Sequence, residues 1–137
     1  MWPVATARAV LRPFEQPEHD YGAGHRGIDI AATTGVIVTS PAPGIVLFAG
    51  RVAGRSILTI DHGGGVVSSY DPALASVSVG DVVAPGQPVA VLEGAAQHCD
   101  TGCVHVGVRR QGEYIDPLPF FFPPKRSVLL PLNDDAG

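Results

Sequence analysis

Residues 103–110 read CVHVGVRR. Val104, Val106 and Val108 recur at every second position, so in a strand they form one apolar row while Cys103, His105 and Gly107 point the other way. Similar short runs follow one another along the chain: Leu11–Phe14, Ile28–Ala31, Val36–Ser40, Gly44–Ala49, Ser56–Asp61, Val66–Tyr70 and Pro88–Leu92. The turn sequences PAPG (41–44), HGGG (62–65) and APGQ (84–87) separate them. No segment of useful length has a helical period. The pattern predicts an all-β fold of short antiparallel strands, a sandwich or a barrel. Residues 76–94, SVSVGDVVAPGQPVAVLEG, space their glycines as in a barrel-sandwich hairpin.

The 137 residues suffice for one domain with its own core. Apolar residues make up 45% and charged residues 16%, which excludes an intrinsically disordered chain. Thirteen prolines and seventeen glycines are spread through the sequence and punctuate β-branched runs. The net charge is −4, Lys125 is the sole lysine and the arginines are scattered, so no basic stripe exists for nucleic acid. No apolar run reaches the eighteen residues that a membrane span needs. The start, MWPVATARAV, is too weakly hydrophobic for a secretory leader, and Met1 reads as a start placed after a removed one.

His105 gains meaning from a second segment, GHRGIDIA at 24–31. His25 and Asp29 form H-x-x-x-D, and two imidazoles with one carboxylate suit zinc. In a straight strand His25 and Asp29 would lie about 13 Å apart, too far to share an ion. Gly27 between Arg26 and Ile28 is poor helix material. The expectation is a bend at Gly27 that folds His25 back over Asp29, followed by a strand from Ile28. The simpler alternatives are a hydrogen-bonded structural histidine at 105 and, for Asp29, an ion pair with Arg26 or a turn cap. A carboxylate between Ile28 and Ile30 costs several kcal/mol to bury unless paired or metal-bound.

Cys99 and Cys103 lie in HCDTGC, where a disulfide closing a tight turn and a pair of free thiols are both open readings. A disulfide fits an oxidising compartment. As a thiolate, Cys103 would instead complete a four-ligand metal site closed to substrate.

Taken in order, residues 24–50 (GHRGIDIAATTGVIVTSPAPGIVLFAG), 57–65 (ILTIDHGGG), 79–94 (VGDVVAPGQPVAVLEG) and 104–110 (VHVGVRR) resemble the lysostaphin-like, LytM-type zinc endopeptidases of bacterial cell walls. The resemblance covers about residues 22–118, with 1–21 as an N-terminal arm and 119–137 as a proline-rich tail packed along the surface before a disordered end. It implies an antiparallel two-sheet barrel-sandwich hybrid (a duplicated hybrid motif) with a zinc-binding groove. Zinc would be held by His25, Asp29 and His105. The implied function is hydrolysis of peptide cross-links in peptidoglycan, outside the cytoplasm.

Two positions depart from the family pattern. Where the family carries the first histidine of H-x-H this chain has Cys103, and where it carries a histidine after tyrosine the sequence SSYDPAL has Pro72. Substitutes for the missing base are His98, Asp71 and Tyr70, with His62 as a support behind the ligands. Losing a general base typically costs about 100- to 10,000-fold in rate. The expectation is therefore a zinc peptidase of attenuated activity, or a zinc-containing module that binds peptidoglycan and regulates another wall enzyme. A lipoyl-type carrier, which such hairpins also resemble, needs a lysine at a hairpin tip, and Lys125 lies in the tail.

Overall fold

The computed structural model describes residues 2–4, 10–15, 26–93 and 102–121. In chain order the strands are β1 (Val10–Arg12), β2 (Ile28–Ala31), β3 (Ile37–Thr39), β4 (Gly44–Val52), β5 (Arg55–Gly63) and β6 (Val66–Asp71). They continue with β7 (Leu74–Ala75), β8 (Val82–Val83), β9 (Pro88–Val91), β10 (Cys103–Arg110) and β11 (Glu113–Ile115), followed by a single helical turn, α1 (Leu118–Phe121). The larger sheet has the order β1-β2-β10-β6-β5-β4-β8, with β11 paired to β10, and the smaller has the order β3-β9-β7. Every pairing is antiparallel. The two-sheet, all-β expectation therefore holds.

Register explains how alternation becomes a core. Val106 pairs with Ile28 on one side and Tyr70 on the other, and Tyr70 pairs with Leu58, so the inward rows of four strands coincide. All four side chains are fully buried, as are Ile30, Ile60 and Val104. The smaller sheet contributes Val38, Val89 and Ala90 to the same cluster. Because the side-chain period is two, the opposite face of the larger sheet carries Asp29, His105, Gly107 and Asp71. The core that one face builds thus fixes the functional candidates on the other. β4 and β5 form the longest hairpin, closed by Ala53 and Gly54, both at positive φ (52° and 80°), as a two-residue type I′ turn requires.

The sequence reading missed β7, β8 and β11. Two- and three-residue strands are pairing events with distant partners and leave no periodic trace in their own sequence. The start and the tail also differ from expectation. Trp2 and Val4 are buried, Val4 bridges to Val38, and the Thr39 amide donates to the Pro3 carbonyl at 2.7 Å. Phe121, expected to pack along the surface, is buried in the core with its ring edge-on to Trp2 at 5.6 Å. Residues 122–137, including the tail's end and Lys125, lie outside the described residues.

Phe121→Ala should lower the free energy of unfolding by about 3–5 kcal/mol, the usual cost of emptying a buried aromatic site. Urea denaturation measures this directly, and a loss below about 1 kcal/mol would return the ring to the surface.

Candidate metal centre on the β2–β10 pair

Asp29 and His105 are direct register partners across β2 and β10. The Nδ1 of His105 lies 2.8 Å from Oδ1 of Asp29, and the side-chain exposures are 29% for the imidazole and 3% for the carboxylate. Without a metal the ring donates from Nδ1 to an ionised carboxylate, which only accepts; as a metal ligand Nδ1 gives up that proton. One edge of the pair is thus buried and the other opens to solvent.

Gly27 shapes this opening. The chain bends at Arg26–Gly27 and enters β2 at Ile28. A Cβ at residue 27 would overlap the Val106 carbonyl oxygen and stand 2.8 Å from His105 Nε2. Glycine is required here for close approach. His25, two residues earlier, lies outside the described residues, as do His98 and Cys99.

The row continues sideways. Arg12 on β1 is the register partner of Asp29, and Asp71 on β6 is the second register partner of His105. Asp71 Oδ2 is 3.1 Å from Arg55 Nη2, a pair with exposed guanidinium and half-buried carboxylate. Arginine, carboxylate, imidazole, carboxylate and arginine therefore alternate across the face. Arg55 carried no sequence signal, because its role comes from the β5–β6 pairing.

The donor chemistry fits zinc as far as the described residues reach. Two ligand atoms each about 2.0–2.1 Å from a tetrahedral ion stand about 3.3 Å apart. Asp29 Oδ1 and His105 Nδ1, at 2.8 Å, are within a small side-chain adjustment of that spacing. Among the described residues no group of three or more histidines, cysteines or acids is gathered around one point, so a complete ligand set needs a donor such as His25.

Other candidates fall elsewhere. Cys103 shares the face of His105 but is buried and disulfide-bonded, so it offers no thiolate to a metal. Tyr70 was a candidate base, but it points into the core, where its hydroxyl donates to Ser68 Oγ at 2.8 Å and burial pushes its pKa strongly upward. Alternation decides this, because Tyr70 is adjacent to Asp71 and so faces away from it. His62 does not support the ligands either. Its Nδ1 donates to the Pro43 carbonyl at 2.8 Å, its Nε2 accepts from Ser68 at 2.6 Å, and its ring lies 5.0 Å from that of Phe120. Desolvation lowers its pKa below the ordinary value, outweighing the opposing pull of the Pro43 carbonyl and the Asp61 charge.

The sequence model of Peptidase family M23 matches residues 23–117. The chain belongs to peptidase family M23. Uncharacterized protein Rv2891 of Mycobacterium tuberculosis is 34% identical over 122 residues, covering 85% of this chain and 49% of its own length. The murein hydrolase activator EnvC of Escherichia coli is 33% identical over 97 residues, 69% of this chain and 23% of its own. This M23 chain thus spans about half, or less, of the length of these curated relatives. A zinc-containing peptidase from Vibrio cholerae shares the fold, with a TM-score of 0.70 at 24% identity over 84% of this chain and 37% of that one.

Two outcomes follow from this geometry. Gly27→Ala should displace the His105 ring and weaken zinc binding by at least about tenfold, measured by competition with a chromophoric chelator; unchanged affinity would remove the steric role given to residue 27. For His62 the fold holds the neutral ring while the unfolded chain takes up the proton more readily. Stability should therefore decline as pH falls from about 6.5 toward the lowered folded value. His62→Gln should flatten that slope in pH-dependent urea melts.

Proposed function

We propose that this M23 chain is a zinc-dependent endopeptidase-like domain directed at peptide cross-links of bacterial peptidoglycan, with attenuated activity. The observation that carries the reading is the convergence of the Asp29 carboxylate and the His105 imidazole at 2.8 Å on the solvent-facing side of β2–β10. In this reading His25, Asp29 and His105 hold the metal. Bound there, zinc supplies Lewis acidity toward a peptide carbonyl and toward water. The surrounding residues do the rest. Gly27 keeps space beside His105, Ile28 and Ile30 anchor Asp29 from the core side, and Asp71 is the carboxylate placed next to His105 to take up a proton. Its Oδ2 is also engaged by Arg55 at 3.1 Å, so the group offered to the proton is a carboxylate already in an ion pair.

The disulfide at Cys103 supports an extracytoplasmic setting, since such bonds persist in oxidising compartments. Among the described residues no helix is long and apolar enough to cross a membrane.

A second reading has its own support. The sulfur of Cys103 and the ring of Pro72 stand where the family pattern carries histidines, and the similar EnvC is named a murein hydrolase activator. On that reading the domain keeps the metal and the groove, binds peptidoglycan peptides and acts on another wall enzyme.

Muropeptide release from purified cell walls by zinc-loaded protein, read by mass spectrometry, separates the two. Cleavage that disappears in Asp29→Ala establishes the peptidase. Absence of cleavage by protein shown to hold one zinc per chain sinks it for these substrates and leaves the binding module.

A further inference from the structure

Arg109 follows His105 by four residues, so both side chains leave β10 on the same face, about 13 Å apart along the strand. Tyr114 on β11 is the register partner of Arg109 and shares that face. Two guanidinium groups lie over its ring, Arg26 at 5.7 Å and Arg109 at 6.0 Å from the centroid. Gly107 makes room for this arrangement. Positioned between His105 and Arg109 on the same face, it has no side chain; a Cβ there would stand 3.1 Å from the Arg26 carbonyl oxygen and 3.5 Å from Tyr114 Cε1. The aromatic platform therefore begins one facing position away from His105.

A ring face holds a guanidinium by its quadrupole and leaves the N–H edge available for a planar anion. Among the described residues Arg109 makes no ion pair. Arg51 and Arg55 engage Glu93 and Asp71, and Arg12 and Arg110, which like Arg109 make no ion pair among the described residues, have no aromatic ring beneath them there. In a chain of net charge −4, a guanidinium kept on an aromatic platform beside the candidate centre, and not neutralised by a described carboxylate, is set to meet an anion from outside.

We propose that Arg109, seated on Tyr114 with Arg26 beside it, reads a free carboxylate on a peptide whose neighbouring residues lie at Asp29–His105. The inference rests on the peptidoglycan-directed reading and adds the substrate class, an acidic peptide. An extended peptide advances about 3.3 Å per residue, so with the reach of an arginine side chain the carboxylate belongs two to four residues from the bond held at the centre. Amidation of that carboxyl removes the charge and half of the acceptor geometry that a guanidinium fork matches.

The test is equilibrium binding, by fluorescence anisotropy, of a labelled peptidoglycan stem peptide with free carboxylates and of the same peptide with them amidated, to the zinc-loaded full chain. The free acid should bind about tenfold more tightly. Raising the salt from roughly 50 to 500 mM should weaken the acid form alone. Arg109→Gln should abolish the preference by weakening the acid form to about the level of the amidated one, and Tyr114→Phe, which keeps the ring, should preserve it. Equal binding of both peptides to the unaltered chain, or a preference that survives Arg109→Gln, overturns the subsite and leaves the general reading standing. If neither peptide binds, both fall.

Discussion

Asp29 sits in the middle of β2 between two fully buried isoleucines, and a carboxylate in that position is tolerated only with a partner. His105 is that partner, and the pairing of β2 with β10 is what brings it within 2.8 Å. A one-residue slip in that pairing would turn the carboxylate into the core and Ile28 or Ile30 into solvent, so the charge and the hydrophobic row enforce the same register. The core is thereby built to the centre's specification, and the centre holds the core in place.

The outward face of the larger sheet then divides into a centre and its flanks. Asp29 and His105 occupy the middle. On one side Asp71 and Arg55 form an ion pair that places a carboxylate next to the imidazole. Toward the far end of β10, Gly107 opens a notch filled by Tyr114 and the Arg26 backbone. The candidate metal ligand and the proposed carboxylate reader therefore occupy alternate positions of one strand, and the inward positions are left to packing. The His62–Ser68–Tyr70 chain lies on the core side, where its hydrogen bonds satisfy buried polar groups.

Much of this was legible in the sequence, and the limits are physical. The valine row of β10 announced both a strand and the face of His105, and Gly27 between Arg26 and Ile28 announced a bend. β2 was delimited to the residue because its turn signals and its apolar pattern end together. Tyr70 does not serve as a base, because alternation sends it, as the neighbour of Asp71, to the core face. Arg55, Tyr114 and Phe121 gave no warning. Their roles depend on strand pairings and on the return of the chain's end into the core, which no local pattern encodes.

Asp29 and His105 are 76 residues apart in sequence, and the strands between them build most of both sheets. Contacts of such long range form late, after the loop-closure entropy of the intervening chain has been met. A polypeptide emerging from synthesis therefore carries its carboxylate for a long interval without its imidazole, and any partly made copy lacks both the pair and the notch beside it. The Asp29–His105 pair comes into being only with the last strands, so no partly folded form presents the candidate centre.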